Sequence, residues 1–93
     1  MDTHNDIRMA QEQIQQEIAG CRMVVGAKQL RKTVLAGQAK KVYLAQDADP
    51  AITEPIARMC LEMKVKFTWV HSMKDLGRAC KIDVGAAAAA ATF

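Results

Sequence analysis

Short apolar runs alternate with segments of helical periodicity along this 93-residue chain, and that alternation restricts the folds open to it. Three runs, at 22–25, 41–45 and 66–70, have the length and the β-branched or aromatic content of buried strands. The segments between them carry apolar residues at every third or fourth position, as amphipathic helices do. Strands that alternate with helices of this length predict an α/β sandwich, with helices covering both faces of the sheet.

Two helices are predicted before the middle of the chain. A helix over 5–19 is indicated by Ile7, Ala10, Ile14 and Ile18, which recur at helical spacing before Gly20. A second helix over 27–36 presents apolar residues on one face and basic residues on the other, and a glycine follows its end.

Two further helices are predicted in the second half. Proline is tolerated only near the start of a helix, so Pro55 predicts a beginning near Ile52 or Thr53, with Thr53 as the N-cap, and the helix continues to Lys64. The last helix runs over 73–80, with Ser72 as its cap. Gly77 is costly inside a helix, and its presence predicts a close approach of another backbone segment.

The run of six alanines at 86–91 does not by itself indicate either a helix or a strand. Alanine is the best helix former, but a helix this short is marginal in water. The preceding elements also leave a sheet that needs another strand. Helix and strand remain equally open from the pattern alone.

Composition is that of one globular domain spanning 1–93, with 51% hydrophobic and 25% charged residues. No stretch reaches the 18 apolar residues of a membrane span, and the first residues are polar, so we expect a cytoplasmic protein without membrane association. Cys21, Cys60 and Cys80 are widely spaced and predict buried free thiols, with no metal site and no cofactor. Four aromatic residues are too few for the stacking platforms of single-strand RNA binders.

The net charge of +3 is unevenly distributed. Residues 1–19 carry four acids against one base, which gives −3, whereas residues 47–93 balance six against six. Residues 20–46 carry six basic residues and no acid: Arg22, Lys28, Arg31, Lys32, Lys40 and Lys41. Such a block suits a phosphate backbone, and a solvated basic face is the alternative.

The start of the second predicted helix combines a glycine with cationic side chains. Gly26 follows a strand, and Lys28 and Lys32 lie one helical turn apart beyond it. Free amides and the positive end of the helix dipole favour an anion here, although a tight turn into a solvated helix is the simpler reading. The spacing matches neither a P-loop nor a dinucleotide fingerprint.

Other candidate residues are better explained without catalysis. His4 and His71 have no partner at a spacing that indicates a nucleophile and base. Asp47 and Asp49, next to a proline, are typical of turn and cap residues. Met73 is an apolar residue among polar loop residues and either meets a partner surface or packs beneath the loop. We therefore predict a chain that is not an enzyme.

Three blocks of the sequence, taken together, resemble the kink-turn RNA binders of the ribosomal L-seven-Ae and L-thirty-e family. They are Val25-Gly26-Ala27-Lys28-Gln29-Leu30-Arg31-Lys32, Ala45-Gln46-Asp47-Ala48-Asp49-Pro50, and Val70-His71-Ser72-Met73-Lys74-Asp75-Leu76-Gly77-Arg78-Ala79-Cys80. The resemblance runs from about residue 21 to 93 and is closest to the small bacterial members. It implies a three-layer α/β/α sandwich with a mixed, roughly four-stranded sheet, in which the alanine run is the final strand.

In that family a Gly-x-Asn-Glu-x-x-Lys signature opens a helix that enters a kinked RNA stem and reads tandem sheared G·A pairs. The matching positions here are Gly26, Lys28, Gln29 and Lys32, so lysine and glutamine replace asparagine and glutamate. Gln29 can present an acceptor and donors to a base edge, whereas Lys28 offers donors only, to guanine or phosphate.

The resemblance also implies a second contact and a nucleotide pocket. The loop before the last helix would pack on the RNA, with His71 where other members often carry a cation. Asp49 matches an acidic position that lines a pocket for a flipped-out nucleotide. The predicted RNA-binding residues are Gly26, Ala27, Lys28, Gln29, Arg31, Lys32, Asp49, Val70, His71, Ser72 and Met73.

The predicted function is non-catalytic binding of structured RNA containing a kink-turn or a similar motif, by a monomer, with ribosome association left open. The alternative is a protein-interaction module on the same fold, with weak or no RNA binding, because a fold does not dictate a function.

Overall fold

Four helices and four strands make up the computed structural model of the chain, which describes residues 11–93. In chain order they are α1 (Gln11–Ile18), β1 (Met23–Val25), α2 (Ala27–Leu35), β2 (Ala39–Ala45), α3 (Pro50–Met63), β3 (Phe67–Val70), α4 (Met73–Ala79) and β4 (Ala88–Thr92). The alternation read from the sequence is confirmed. The predicted first helix began at residue 5, and its part over 5–10 lies outside the described residues.

The four strands form one mixed sheet in the order β1-β4-β2-β3. Strand β4 pairs antiparallel with β1 and with β2, whereas β2 and β3 are parallel. It follows that β1, β2 and β3 all point the same way. Their carboxyl ends therefore meet at one edge of the sheet, where β4 begins.

Helices cover both faces of this sheet, because its central strands bury alternate residues on opposite sides. Val42 and Leu44 belong to the core beneath α2 and α3, whereas Tyr43 and Ala45 belong to the core beneath α1 and α4. The buried helix residues divide in the same way. The core beneath α2 and α3 contains Leu30, Val34, Ile56 and Cys60, and the core beneath α1 and α4 contains Ile14, Ile18, Leu76 and Ala79. The α/β/α sandwich with a mixed four-stranded sheet is thus as predicted.

The alanine run supplies the strand that the pattern left undecided. Ala88 and Ala90 face one core and Ala89 and Ala91 face the other, and all four are at most 2% exposed. Strand β4 pairs with a strand on each side, so the sheet satisfies its backbone groups. Its methyl side chains let helices pack closely on both faces, and this tertiary packing outweighs the helix propensity of alanine.

The predicted start of the third helix was wrong. Helix α3 begins at Pro50, and its N-cap is Asp49, whose carboxylate accepts a hydrogen bond from the amide of Ala51 at 2.9 Å. Thr53, the predicted cap, lies inside the helix and is 2% exposed. Pro55 lies well beyond the first turn, where it cannot donate a hydrogen bond to the carbonyl of Ala51. Both of those residues face solvent, so water can bind the freed carbonyl.

The close approach predicted at Gly77 is present. A Cβ added to Gly77 would lie 2.1 Å from the carbonyl oxygen of Val84, far inside van der Waals contact. The segment that leads back from α4 to β4 therefore lies directly on the helix backbone. This contact fixes the path of residues 82–87 toward the edge where β4 begins.

All three cysteines are free thiols; Cys60 is buried, as predicted, whereas Cys21 and Cys80 are only partly buried. Burial raises the pKa values of Cys60 and Cys80. Within residues 11–93, no three His, Cys, Asp or Glu side chains come together as a metal-binding group. None of the described helices has the length and hydrophobicity needed to cross a bilayer.

Candidate nucleic-acid interface

Residues predicted for RNA binding from three separate blocks lie along one edge of the sheet. Gly26 follows β1, Asp49 lies in the turn after β2, and His71 follows β3. Two backbone hydrogen bonds join this edge, from the amide of Gly26 to the carbonyl of Ala88 at 3.1 Å and from the amide of Gln46 to the carbonyl of Val70 at 2.9 Å. Because β1 and β3 are three strand spacings apart, the first and last blocks are separated by about 14 Å.

Gly26 makes the turn from β1 into α2. Its φ of 104° is in the range that favours glycine, and its carbonyl accepts the first helical hydrogen bond from the amide of Leu30 at 2.9 Å. No side chain caps the helix, so the amides of Ala27, Lys28 and Gln29 point out of the turn without a side-chain partner. This is the geometry in which helix N-termini bind anions.

The charges on α2 oppose its own dipole. No acidic residue lies in the first turn, and Lys28 occupies its second position. A cation near the positive end of a helix costs about 0.3–1 kcal/mol, where an acid would stabilise the helix by a similar amount. An anion bound at this end would offset that cost.

The exposed side chains of α2 are available to a ligand. Lys28, Gln29, Arg31 and Lys32 are exposed, whereas Leu30 and Val34 face the core. Among the residues that the structure describes, none of these three cations has an ion pair. The polar face of α2 is therefore a cationic surface, whose side chains are the two lysines, Arg31 and the Gln29 amide.

Another part of the basic block has a structural role. The ammonium of Lys41 is 2.5 Å from a carboxylate oxygen of Glu17 in α1, and the hydroxyl of Tyr43 donates to the same oxygen. Partial burial opposes the charged form of Glu17, but the two hydrogen bonds and the charge of Lys41 outweigh it, so the pKa of Glu17 lies below its usual value. Burial and the neighbouring carboxylate raise the pKa of Tyr43. Lys41 thus ties α1 to the sheet.

The turn after β2 carries two aspartates, and both have internal partners. One oxygen of Asp49 caps α3, and the other makes no hydrogen bond within residues 11–93. Asp47 accepts a hydrogen bond from the amide of Met73 at 2.8 Å. The expectation that these two aspartates act as turn and cap residues agrees with this geometry.

The loop after β3 is partly exposed. Ser72 caps α4, as predicted, by accepting from the amide of Asp75 at 3.0 Å. The side chain of His71 is 71% exposed, and its Nδ1 lies 3.4 Å from the Asp75 carboxylate. Met73 is half-buried against the α1 and α4 core. Val70 is fully buried, so its side chain supports the loop from the core and does not reach the surface.

Two residues at this edge were missed by sequence reasoning. Asp47 was read only as a turn residue, and its contact with Met73 spans 26 positions. Val84 is 70% exposed on the segment that packs against Gly77 and Met73. Gly77 is the sequence signal for this second segment, since a glycine inside a helix predicts a close neighbour without identifying it.

The chain matches the model of the family described as "Ribosomal protein L7Ae/L30e/S12e/Gadd45 family" over residues 9–93. The match includes α1, which the sequence resemblance did not cover. RNA-binding protein YbxF of Geobacillus stearothermophilus is 46% identical over 69 residues, 74% of this chain and 84% of its own length. RNA-binding protein TTE2299 of Caldanaerobacter subterraneus subsp. tengcongensis has the same identity and coverage.

Solved structures agree with the sequence comparisons. The 15.5kD RNA binding protein of Giardia lamblia superposes with a TM-score of 0.77 at 28% identity, over 86% of this chain and 68% of that chain. The resemblance read from the sequence is confirmed by the matched model, the relatives and the shared fold. The chain belongs to the ribosomal protein L7Ae/L30e/S12e/Gadd45 family.

Proposed function

We propose that the chain is a non-catalytic RNA-binding protein that recognises a kink-turn or a kink-turn-like RNA containing tandem sheared G·A pairs. The observation that carries the proposal is the start of α2, where no side chain caps the helix and the cations have no ion pair with any of residues 11–93, so that an anion would stabilise this end. Its relatives are named RNA-binding proteins, not enzymes, in agreement with the predicted absence of catalysis.

In the proposed complex the cationic surface of α2 holds the RNA backbone and reads one base edge. Lys28, Arg31 and Lys32 neutralise phosphates, which gives affinity without sequence preference. The Gln29 amide can bond to a base edge, because it carries both a donor and an acceptor.

The loop after β3 supplies the second contact in this proposal. His71, Ser72 and Met73 pack against the RNA about 14 Å from the start of α2, across the width of the sheet edge. Asp49 follows β2, which lies between β1 and β3 in the sheet. The carboxylate oxygen of Asp49 that does not cap α3 would accept a hydrogen bond from a flipped-out nucleotide. Val70 acts from beneath, since its side chain is buried.

A titration against two RNAs tests the proposal. A stem with a kink-turn is compared with the same stem in which the G·A pairs are changed to Watson–Crick pairs. We expect the kink-turn to bind more tightly, and binding to both RNAs to weaken with salt, with a slope of about −2.7 on logarithmic axes if three phosphates are neutralised. Equal and weak binding of the two RNAs would exclude the proposed specificity.

The finer parts of the prediction belong to the same proposal. We infer a single domain over 1–93 that binds RNA as a monomer in the cytoplasm, and association with the ribosome would follow if ribosomal RNA contains the target. Sequencing of RNA cross-linked to the protein in cells identifies that target. If no structured RNA is enriched among the cross-linked sequences, the proposal of a structured RNA target is contradicted.

Protein interaction is a second candidate, favoured by large apolar side chains on the surface. Leu35, Leu61 and Phe93 are 65%, 70% and 86% exposed. Leu35 ends α2, Leu61 lies in the last turn of α3 and Phe93 follows β4. These three elements all run away from the proposed RNA edge, so the apolar side chains lie toward the opposite edge. A tight dimer in sedimentation, together with no RNA binding at low salt, would favour this candidate over RNA recognition.

A further inference from the structure

Asp47 connects two loops of the proposed interface. It lies in the turn after β2, and its Oδ1 accepts a hydrogen bond from the backbone amide of Met73 at 2.8 Å. Met73 is the first residue of α4, so its amide has no acceptor within its own helix. A carboxylate here satisfies that amide and also complements the positive end of the helix dipole.

Other contacts hold the same junction, but they are made by the backbone. The amide of Gln46 donates to Val70 at 2.9 Å, and the amide of Ala86 donates to Met73 at 3.0 Å. A Cβ on Gly85 would lie 3.1 Å from the Met73 Cβ. Met73 is thus held from both sides, and the Asp47 carboxylate is the contact that a side-chain substitution can remove.

The negative charge of Asp47 is unexpected at an edge that is proposed to bind phosphates. An exposed carboxylate repels an RNA backbone, and Asp49 and Asp75 add two more at the same edge. Each of the three has an internal partner: the amide of Met73, the amide of Ala51 and the ring of His71. The hydrogen bond from the Met73 amide explains why a carboxylate occupies position 47, whereas a direct contact with phosphate does not.

We propose that Asp47 is a positioning residue for RNA recognition: it holds the 71–73 loop in place against the 46–49 turn and does not itself touch the RNA. This inference rests on the proposed function. It makes the two loops one rigid unit, so that Met73 and His71 are presented at a fixed distance from the start of α2. Fixing a contact loop before binding increases affinity because less conformational entropy is lost on association.

The sign of the effect of Asp47→Ala on RNA binding distinguishes positioning from simple charge. Removing a negative charge should tighten binding to any phosphate backbone if charge is all that matters. Positioning predicts the opposite for the kink-turn, a loss of about tenfold, which is the scale of one hydrogen bond to a charged group. Binding to the Watson–Crick control RNA should stay the same or rise slightly.

Two other variants serve as matched controls. Asp47→Asn removes the charge but keeps an oxygen that can accept from Met73, and it should retain kink-turn affinity within about threefold. Glu62→Ala removes a carboxylate from the exposed far end of α3 and should not weaken binding. Thermal unfolding checks that each variant is folded. If Asp47→Ala does not fold, an Asp47→Asn protein that loses tenfold on the kink-turn overturns the idea.

Amide hydrogen exchange in the free protein gives a readout that needs no RNA. We expect the Met73 amide to exchange at least about tenfold faster in Asp47→Ala and to be unchanged in Glu62→Ala. Faster exchange combined with unchanged or tighter kink-turn binding overturns the positioning role and leaves the proposed function intact. If the wild-type protein does not distinguish the two RNAs, the proposed function fails, and the positioning role in recognition fails with it whatever the exchange rates show.

Discussion

Replacing Gly77 by alanine should destabilise the protein, although alanine is the better helix former. The new Cβ would lie 2.1 Å from the carbonyl oxygen of Val84 and 3.1 Å from the Cα of Gly85, and both of these neighbours are backbone atoms that cannot rotate away. Overpacking of this kind costs about 1–3 kcal/mol, and contact with fixed backbone places this case at about 3 kcal/mol. Helix propensity returns about 1 kcal/mol, which leaves a net loss of about 2 kcal/mol in the free energy of unfolding.

Thermal unfolding followed by circular dichroism measures this loss. For a domain of this size, about 2 kcal/mol corresponds to a decrease in Tm of about 8–16 °C. Gly37→Ala is the matched control, because a Cβ on Gly37 meets nothing within 4 Å. Its φ of 72° still makes alanine unfavourable there, by about 1 kcal/mol, so a decrease of about 4–8 °C is expected.

The two possible signs for Gly77 make the result decisive. If α4 were free of the returning segment, Gly77→Ala would raise Tm by about 4–8 °C through propensity alone. An increase, or no change, would refute the backbone contact as the reason for a glycine in α4. If Gly77→Ala lowers Tm by displacing this segment, it should also weaken kink-turn binding in the proposed complex, because the same segment packs on Met73.

Further predictions concern the tie to α1 and the surface of α2. Because the folded-state pKa of Glu17 is below its ordinary value of 4.5, its contribution to stability is present at neutral pH and is lost as pH falls below about 4.5; Glu17→Gln should remove that contribution, so its Tm falls less between pH 7 and pH 3 than that of the wild type. Lys32→Ala should weaken binding to kink-turn and control RNA alike and reduce the salt slope by about 0.9, whereas Lys66→Ala, at the opposite edge of the sheet, should leave the slope unchanged. Gln29→Ala should chiefly reduce the difference in binding free energy between the kink-turn and the control RNA, by about 1–3 kcal/mol. If titrations give the same difference for the variant as for the wild type, Gln29 does not contact a base edge.

Local signals in the sequence predicted some features because they depend on neighbouring residues alone. The serine at 72 caps α4 through an amide three residues away, and capping chemistry is readable at that distance. Pro55 misled the prediction for α3, because its exposed position allows a proline that a buried helix face would not. The correct cap, Asp49, was also readable, since Asp-Pro at N-cap and first position is a common helix start.

The alanine run shows where local reasoning stops. Its propensity favours a helix, and only the presence of β1 and β2 on either side and helices above and below makes it a strand. The resemblance supplied that answer before the structure because it carries information about the whole fold. No neighbour in the sequence could have supplied it.

The sequence by itself determined the helices and strands that precede the alanine run, the basic block and the cationic start of α2, because periodicity, capping and charge are properties of adjacent residues. Tertiary structure alone decided which of those cations are available and which loops meet. Lys41 is paired with Glu17 from a helix 24 positions away, and Asp47 reaches Met73 across 26. The contact of Asp47 with Met73 arises because β2 and β3 are parallel neighbours, so the segments that follow them begin at the same edge of the sheet. Sheet topology is a choice among long-range pairings, and a single sequence records it only indirectly.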